Sequence, residues 1–367
     1  MLSILVHMQF LRWLFPATAL LSAAPIHITV WAAIRFLTLP FPRRVYRSAD
    51  DLLYATYQRY VLFFMHCYTG AEIHTYGDAE ALANPNENAV FICNHQSTMD
   101  WVVANIVALE HRSLGHVRYV IKDGLKYFPL YGFYFKQHDC IYVRRGNFSK
   151  QSMEKQVKRF AARDEPVWMI IFPEGTRFNP SNKDLVDKTR LLAEKKGINP
   201  PEYVLLPKIG ALQVCLEQMR EHVSVIYDVT IAYSNTVNSA GTRQEAPGMP
   251  EFLMQTSPEI HLNIEKVKVT DVPDDVNKLQ AWLEQQFQKK DRLLSHFYSV
   301  DRDKAGRFEG ECKRLQISLT QTLPAALFYN GCLYLMLSNP ATRSMYWKIS
   351  LFGTLIGCVW MSFRSQA

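Results

Sequence analysis

A predicted strand that runs through a short polar turn into a predicted helix is the most constraining feature of this sequence. Ala89–Cys93 is a short apolar run typical of a buried strand, and Trp101–Leu109 has the composition of a helix. The turn between them, Asn94–Asp100, reads NHQSTMD. Ser97 and Asp100 fit a capping box, so the pattern predicts a helix that starts at Ser97 with Asp100 in its first turn.

This arrangement puts His95 on the turn, within reach of the Asp100 carboxylate. A carboxylate beside a histidine holds one ring tautomer and stabilises the imidazolium, so the histidine can take a proton from a hydroxyl group. No Ser or Cys stands in an obvious relay with His95, which favours a base that acts directly on a substrate. The alternative is a turn histidine beside a helix-capping aspartate, with no catalytic role.

Strand and helix patterns alternate between Glu72 and Val269. The strand candidates are Ala89–Cys93, Val117–Ile121, Ile141–Val143, Val167–Phe172, Tyr203–Leu206, Val225–Ala232 and Ile260–Val267. The helix candidates are Asp100–Glu110, Ser149–Arg163, Lys183–Lys196 and Ala211–Glu221. The alternation predicts an α/β domain with a mixed, largely parallel sheet and flanking helices, in which ligands gather at the strand ends.

Both ends of the chain are apolar. Leu14–Leu39 is long enough to span a bilayer, and we interpret it as an uncleaved anchor; a signal peptide is the alternative, but its basic start and Ala-x-Ala site are missing. Three arginines follow closely (Arg43, Arg44 and Arg47), which predicts that the next segment is cytosolic.

Three further apolar segments complete the predicted organisation. Leu52–Tyr68 is predicted to lie on the membrane or pack on the domain, and residues 323–337 and 345–363 are predicted to form a hairpin or a re-entrant pair. The predicted organisation is an anchor with an interfacial helix over residues 1–70, an α/β domain over 71–310 and an apolar hairpin over 311–367.

Charge and cysteine content exclude some classes of function. The net charge of +7 suits a nucleic acid, an anionic membrane surface or a phosphorylated substrate, but no basic tract alternates with aromatics, which argues against nucleic acid. The seven cysteines are scattered without a Cys-x-x-Cys pair, which argues against a zinc site or a disulfide framework.

Two predicted strands end in basic residues. Lys122 follows the strand predicted at Val117–Ile121, and Ile141–Arg145 is a short strand that ends in two arginines. Arginine can grip a phosphate through two parallel bonds, so these positions suit a phosphate clamp. Ordinary exposed basic residues are the alternative.

A third strand end is more informative. The apolar run Val167–Phe172 leads directly into Pro-Glu-Gly-Thr-Arg at residues 173–177. Proline ends the strand, glycine permits a tight turn with exposed N–H groups, and Thr176 and Arg177 add a hydroxyl and a cation, which together suit a phosphate. Glu174 would repel a phosphate, so it could orient Arg177 or bond a substrate hydroxyl; an ordinary polar turn is the alternative reading.

Together these features predict acyl transfer from an activated ester, such as a thioester, to a phosphorylated lipid alcohol. Asn94–Asp100 resembles the first motif of the glycerophospholipid acyltransferases, His-x-x-x-x-Asp, and Phe172–Arg177 resembles their third. Ile141–Arg145 resembles the second motif and Leu205–Pro207, loosely, the fourth. The chain most resembles the epsilon-type 1-acyl-glycerol-3-phosphate acyltransferases; Asp139-Cys140 departs from the small residues frequent before the second motif.

The resemblance implies that the protein uses acyl-CoA to acylate the sn-2 hydroxyl of 1-acyl-glycerol 3-phosphate (lysophosphatidic acid), releasing phosphatidic acid and CoA. It implies that His95 is the general base and that Asp100 orients it. The implied acceptor-site residues are Lys122, Arg145, Glu174, Gly175, Thr176 and Arg177. No metal and no bound cofactor are implied, and the partners are membrane lipids. The implied location is the endoplasmic reticulum membrane with the catalytic domain in the cytosol, a mitochondrial membrane being the alternative.

Three other functions stay open at this point. The acceptor could be another lysophospholipid, such as lysocardiolipin or lysophosphatidylinositol. A non-catalytic protein could bind phosphatidic or lysophosphatidic acid, although it would have little use for a His–Asp pair. A metal-dependent phosphohydrolase would need more His and Asp ligands clustered near the first motif. The cytosolic orientation further predicts that the sequon Asn147-Phe148-Ser149 is not glycosylated.

Overall fold

The computed structural model describes residues 2–83, 87–144, 146, 148–162, 165–299 and 306–364. The chain divides into two compact units. The terminal unit comprises Met1–Tyr68, Leu114–Phe148 and Ile317–Ala367, and the sheet unit comprises Thr69–Ser113 and Ser149–Gln316. Residues 114–148, which the sequence analysis placed inside the α/β domain, therefore group with the two chain ends.

Strands and helices are numbered here along the chain. The described residues contain the strands β1 (Glu72–Gly77), β2 (Ala89–Cys93), β3 (Val117–Lys122), β4 (Ile141–Val143), β5 (Trp168–Ile171), β6 (Val225–Tyr233), β7 (Glu259–Lys268) and β8 (Lys313–Leu315). The helices are α1 (Leu2–Ser22), α2 (Ala24–Leu37), α3 (Arg43–Leu62), α4 (Asp100–Glu110), α5 (Tyr131–Gln137), α6 (Lys150–Ala161), α7 (Lys183–Lys195), α8 (Gly210–Met219), α9 (Met249–Leu253), α10 (Val276–Phe297), α11 (Leu319–Ser338), α12 (Pro340–Lys348) and α13 (Thr354–Arg364).

The sheet unit holds six strands in the order β5-β2-β6-β7-β1-β8. β2 pairs in parallel with both β5 and β6, and β1 pairs in parallel with β7. The β6–β7 and β1–β8 pairs are antiparallel. Every residue of β2, β5 and β6 is buried, as expected for strands covered on both faces. The predicted fold class, a mixed and largely parallel sheet with flanking helices, is confirmed.

Six of the seven predicted strands form, and the seventh does not. Tyr203–Leu206 is irregular, because the Leu205 N–H donates to the Glu174 side chain and not to a neighbouring strand. All four predicted helices form. The predicted start of α4 at Ser97 is wrong: the helix begins at Asp100, because the Ser97 hydroxyl accepts the Met99 N–H and keeps residues 97–99 in a turn.

Four of the strands and helices of the sheet unit were not predicted: β1, the edge strand β8 beside it, the short helix α9 and the long helix α10. The Asp275 side chain caps α10 by accepting the N–H groups of Asn277 and Lys278. Leu279, Leu283 and Phe287 recur on one face of α10 and are buried, and the helix packs on β6. Helix α10 therefore covers one face of the sheet at β6, the strand that pairs with β2.

The terminal unit is built from helices of both chain ends together with the parallel pair β3–β4. α1 and α2 are joined by helical hydrogen bonds across Ala23, and the helical segment Phe10–Leu37 that they form is, among the described residues, the one long and apolar enough to cross a membrane by length and composition. α3 buries more than half of its residues and packs against α11, so the segment predicted at Leu52–Tyr68 is a packed helix in this unit. The segment predicted at 345–363 is divided by a π-helical turn at Ile349–Gly353.

Candidate functional site

The turn after β2 is fixed by a side chain that imitates a strand. Asn94 is buried, its amide NH₂ donates to the Ile231 carbonyl (3.0 Å), and its amide oxygen accepts the Ile231 N–H (2.7 Å). These two bonds continue the β2–β6 pairing by one residue after the backbone ladder ends at Cys93. His95 therefore leaves the sheet at a defined position.

His95 and Asp100 form the predicted pair. His95 Nδ1 lies 2.7 Å from Asp100 Oδ2; the imidazole is 20% exposed and the carboxylate is fully buried. The His95 ring packs against the Phe172 ring, with 4.5 Å between centroids. The pair thus has one dry, oriented member and one member that reaches solvent, which is the arrangement a histidine base requires.

Three further donors bind the Asp100 carboxylate. Oδ2 also accepts the N–H groups of Gln96 (2.7 Å) and Ser97 (2.9 Å), and Oδ1 accepts the Tyr233 hydroxyl (2.7 Å). The carboxylate therefore accepts hydrogen bonds at both oxygens, which fixes its orientation. Because the carboxylate accepts from its partners, the proton of the neutral imidazole lies on Nδ1, and Nε2 keeps the lone pair that can take a proton.

Glu174 lies inside the protein and supports the His95 backbone. It is 1% exposed, and its two carboxylate oxygens accept the N–H groups of His95 (2.7 Å) and Leu205 (2.9 Å). Burial raises the pKa of Glu174 well above its ordinary value, while these two N–H bonds act in the opposite direction. The described contacts give Glu174 a positioning role, since both oxygens face backbone and neither bonds Arg177.

The Gly-Thr-Arg turn is tied to His95 from both sides. The His95 N–H donates to Glu174, just before the turn, and the His95 carbonyl accepts the Phe178 N–H (2.7 Å), just after it. Gly175 has φ +68°, a conformation in which glycine carries no steric cost. The first and third predicted motifs are thus joined by two hydrogen bonds to the His95 backbone, and the turn that bears Arg177 stands directly beside His95.

The predicted basic residues are not all in this unit. Arg177 is exposed and follows Thr176, which is half-buried; within the part of the chain that the structure describes, Arg177 has no hydrogen-bond or ion-pair partner. Lys122 is exposed at the end of β3, in the terminal unit. Arg145 lies outside the described residues. The structure therefore joins Arg177 to the His95 site and leaves Lys122 and Arg145 as predictions.

Sequence reasoning missed four residues that shape this site. Asn94 and Tyr233 hold the turn and the carboxylate, as described above. The buried Gln96 side chain accepts from Arg243 (3.0 Å) and from the Tyr298 hydroxyl (3.1 Å), which fixes the residue after His95. Asn94 and Gln96 belong to the first motif, so their positions in the sequence could have indicated a role. Tyr233 and Arg243 lie outside all four motifs, so no sequence pattern indicated them.

Groups of His and acidic side chains close enough to share a metal ion occur elsewhere. In the described part of the chain they are His74 with Glu259 and His261, and Asp50 with Asp51 and His138. Neither group contains His95 or Asp100. The chemistry available at the candidate site is that of a histidine base beside a cationic turn.

Comparisons with known proteins agree with this geometry. A family model for an acyltransferase matches residues 73–234, and a model for an acyltransferase C-terminus matches residues 251–329. The mouse protein named 1-acyl-sn-glycerol-3-phosphate acyltransferase epsilon is 38% identical over 367 residues, which covers 100% of both chains. Lysocardiolipin acyltransferase 1 of Danio rerio is 28% identical over 72% of this chain and 65% of its own length.

A solved structure is also similar. The crystal structure of the 1-acyl-sn-glycerophosphate acyltransferase PlsC from Thermotoga maritima aligns with a TM-score of 0.48 at 17% identity. The alignment covers 82% of this chain and 100% of that chain.

Proposed function

The chain belongs to the 1-acyl-sn-glycerol-3-phosphate acyltransferase family, and from that premise we propose that it transfers an acyl group from acyl-CoA to the sn-2 hydroxyl of lysophosphatidic acid. The observation that carries the proposal is the His95–Asp100 pair, in which a buried carboxylate, hydrogen-bonded at both oxygens, lies 2.7 Å from a partly exposed imidazole. No nucleophilic side chain is needed, because the substrate hydroxyl is itself the nucleophile.

In the proposed reaction, the sn-2 hydroxyl gives its proton to His95 Nε2 while its oxygen attacks the thioester carbonyl. The tetrahedral intermediate then breaks its C–S bond. CoA leaves as the thiolate and takes the proton back from the imidazolium, so His95 ends neutral and the products are phosphatidic acid and CoA. Asp100 stabilises the imidazolium that exists between the two proton transfers.

The acceptor's phosphate is proposed to lie against the Gly175–Arg177 turn. Arg177 offers a guanidinium group with no described partner, and guanidinium binds phosphate through paired bonds. Lys122 and Arg145 are proposed to contribute further positive charge, on the strength of the motif resemblance. Glu174 acts from below the turn, by holding the His95 backbone.

Membrane attachment is proposed to occur through the terminal unit. The apolar helix Phe10–Leu37 is followed by the basic residues Arg43 and Arg44, a pattern that favours a cytosolic position for the next segment. We propose the endoplasmic reticulum membrane, with acyl-CoA arriving from the cytosol. Protease protection in intact microsomes tests this orientation, and a glycosylated Asn147 would contradict it.

Replacing the base tests the proposal directly. We expect His95→Ala to lower the turnover of lysophosphatidic acid and acyl-CoA by about 10²–10⁴-fold, the contribution typical of a general base. The matched control is His296→Ala, because His296 is also a partly exposed histidine but lies on α10 opposite Glu309. Release of CoA thiol and formation of phosphatidic acid are both measured. Near wild-type turnover in a folded His95→Ala protein would refute the mechanism.

A second acceptor is favoured by one specific observation, the similarity to lysocardiolipin acyltransferase 1. A panel of lysophosphatidic acid, lysocardiolipin and lysophosphatidylinositol with one acyl-CoA distinguishes the two. We expect the highest kcat/KM with lysophosphatidic acid. CoA release with none of the three acceptors would instead favour the non-catalytic lipid-binding alternative, and loss of activity on chelation would favour the metal-dependent alternative.

A further inference from the structure

Lys208 lies across the turn that carries Arg177. A Cβ atom placed on Gly175 would be 3.3 Å from Lys208 Nζ, 3.6 Å from Cδ and 3.9 Å from Cε. The Lys208 N–H donates to the Pro173 carbonyl (2.8 Å), so the backbone of this residue is fixed beside the start of the turn. The lysine side chain therefore passes over Gly175 and occupies the space that a larger residue there would fill.

The surface of the turn offers donors and little negative charge. The N–H groups of Thr176 and Arg177 have no acceptor among the described residues, and neither do the exposed side chains of Arg177 and Lys208. The Glu174 carboxylate, which would neutralise these cations, is buried and satisfied by two backbone N–H groups. The Arg177 cation and two free amides on the turn, together with the Lys208 cation that reaches over it, match an anion that carries more than one charge.

We propose that Lys208 makes the acceptor site selective for a phosphate monoester over a phosphate diester. The inference rests on the proposed function, because it concerns the headgroup of the same acceptor. A monoester such as lysophosphatidic acid carries about −1.5 to −2 charges at neutral pH, whereas a diester carries about −1. The single charge of a diester can be neutralised by Arg177 alone. The additional charge of a monoester can pair with the second cation, Lys208, so Lys208 should contribute more to binding the monoester.

The test compares Lys208→Gln and Lys208→Arg with the matched control Lys158→Gln. Lys158 is exposed on α6, without a described partner. Each variant is assayed with lysophosphatidic acid and with lysophosphatidylinositol, using the same acyl-CoA. We expect Lys208→Gln to lower kcat/KM for lysophosphatidic acid about tenfold to a hundredfold, mainly through KM, and to change kcat/KM for the diester less than threefold or so. Lys208→Arg should recover most of the loss.

A pH series adds a readout that a merely structural role would not move. A phosphate monoester loses its second proton at about pH 6, and below that pH it no longer carries the additional negative charge. The ratio of wild-type to Lys208→Gln kcat/KM for lysophosphatidic acid should therefore fall on acidification. Both proteins contain His95, so the titration of the base cancels in the ratio.

The outcomes separate this inference from the proposed function. A wild-type protein that does not acylate lysophosphatidic acid at all would overturn the proposed function. With an active wild type, an equal loss for both acceptors, a rise confined to the KM for acyl-CoA, or no change in Lys208→Gln would overturn the inference alone. The second of these results would assign Lys208 to the phosphates of CoA.

Discussion

Replacing Asp100 with Asn is a sharp test of the His–Asp pair, because the amide has the shape of the carboxylate without its charge. In the wild type, Oδ2 accepts three N–H bonds and Oδ1 accepts the Tyr233 hydroxyl. The amide keeps these contacts if its oxygen replaces Oδ2 and its NH₂ group faces Tyr233, whose hydroxyl can turn and accept. The substitution should therefore remove charge and preserve geometry.

The magnitude follows from the separation of the two charges. Unit charges about 4 Å apart attract by about 4 kcal/mol at an effective dielectric constant of about 20. The His95 side chain is 20% exposed, so solvent weakens this attraction and we expect a loss of about 2–4 kcal/mol. The loss falls on the imidazolium formed during the reaction, so kcat should decrease about 30-fold to 1,000-fold.

The assay is initial CoA release at saturating concentrations of both substrates, with thermal unfolding as the check on the fold. The matched variant is Tyr233→Phe, which removes one bond to the same carboxylate but leaves its charge. We expect its kcat to stay within about tenfold of the wild type. The reasoning is refuted if folded Asp100→Asn keeps the wild-type kcat, or if Tyr233→Phe loses as much as Asp100→Asn.

Three further experiments test the site and its support. Glu174→Gln sets an NH₂ group against a backbone N–H, so the free energy of unfolding should fall by about 1–3 kcal/mol in denaturant titrations. Burial raises the pKa of Glu174, so the wild type loses stability as the pH rises from the unfolded-state pKa to the folded-state pKa. The difference in the free energy of unfolding between the wild type and Glu174→Gln should therefore narrow from about pH 4 upwards. A difference that widens with pH would contradict this. Gly175→Ala and Gly197→Ala each place alanine at a similar positive φ, so each should lower the free energy of unfolding by about 1–2 kcal/mol. Of the two, Gly175→Ala alone brings its new methyl group against a neighbouring side chain, so it alone should raise the KM for lysophosphatidic acid. Equal KM values in the two variants would argue against the Gly175 turn as the acceptor site. Lys290→Met leaves Asp228 buried without its counter-charge and should lower the free energy of unfolding by about 3–5 kcal/mol. Adding Asp228→Asn to the same chain should restore most of this stability. If the double variant recovers none of it, the unpaired Asp228 charge is not the cause of the loss.

The central part of the fold was predictable because its strands are buried on both faces. Continuous apolar runs mark β2 and β5 in the sequence, β6 is apolar except at Asp228 and Thr230, and the structure buries every residue of all three strands. Strand β1 reads Glu-Ile-His-Thr-Tyr-Gly, which is too polar to stand out, and it forms because β7 and β8, both distant in the chain, pair with it. Tyr203–Leu206 has strand-like composition, but a side chain from another segment takes its N–H.

The site was predictable where its chemistry is local. His95 and Asp100 belong to one turn, so their spacing alone indicated the contact that forms. The family membership that the motifs indicated is likewise confirmed by the full-length similarity to the mouse protein. The work of Glu174 was not predictable, because both N–H groups that it accepts come from segments distant in sequence and no local pattern records them.

Under the proposed mechanism, the double attachment of the Gly175 turn to the His95 backbone limits how acceptor preference can diverge. On that mechanism a headgroup of different size is not accommodated by moving this turn, since His95 would move with it and lose its alignment with the attacking oxygen. New preferences must then arise from side chains that reach over the turn from a neighbouring segment, as Lys208 does. An engineer who wants another lysolipid should leave the loop intact and vary that overhanging residue first.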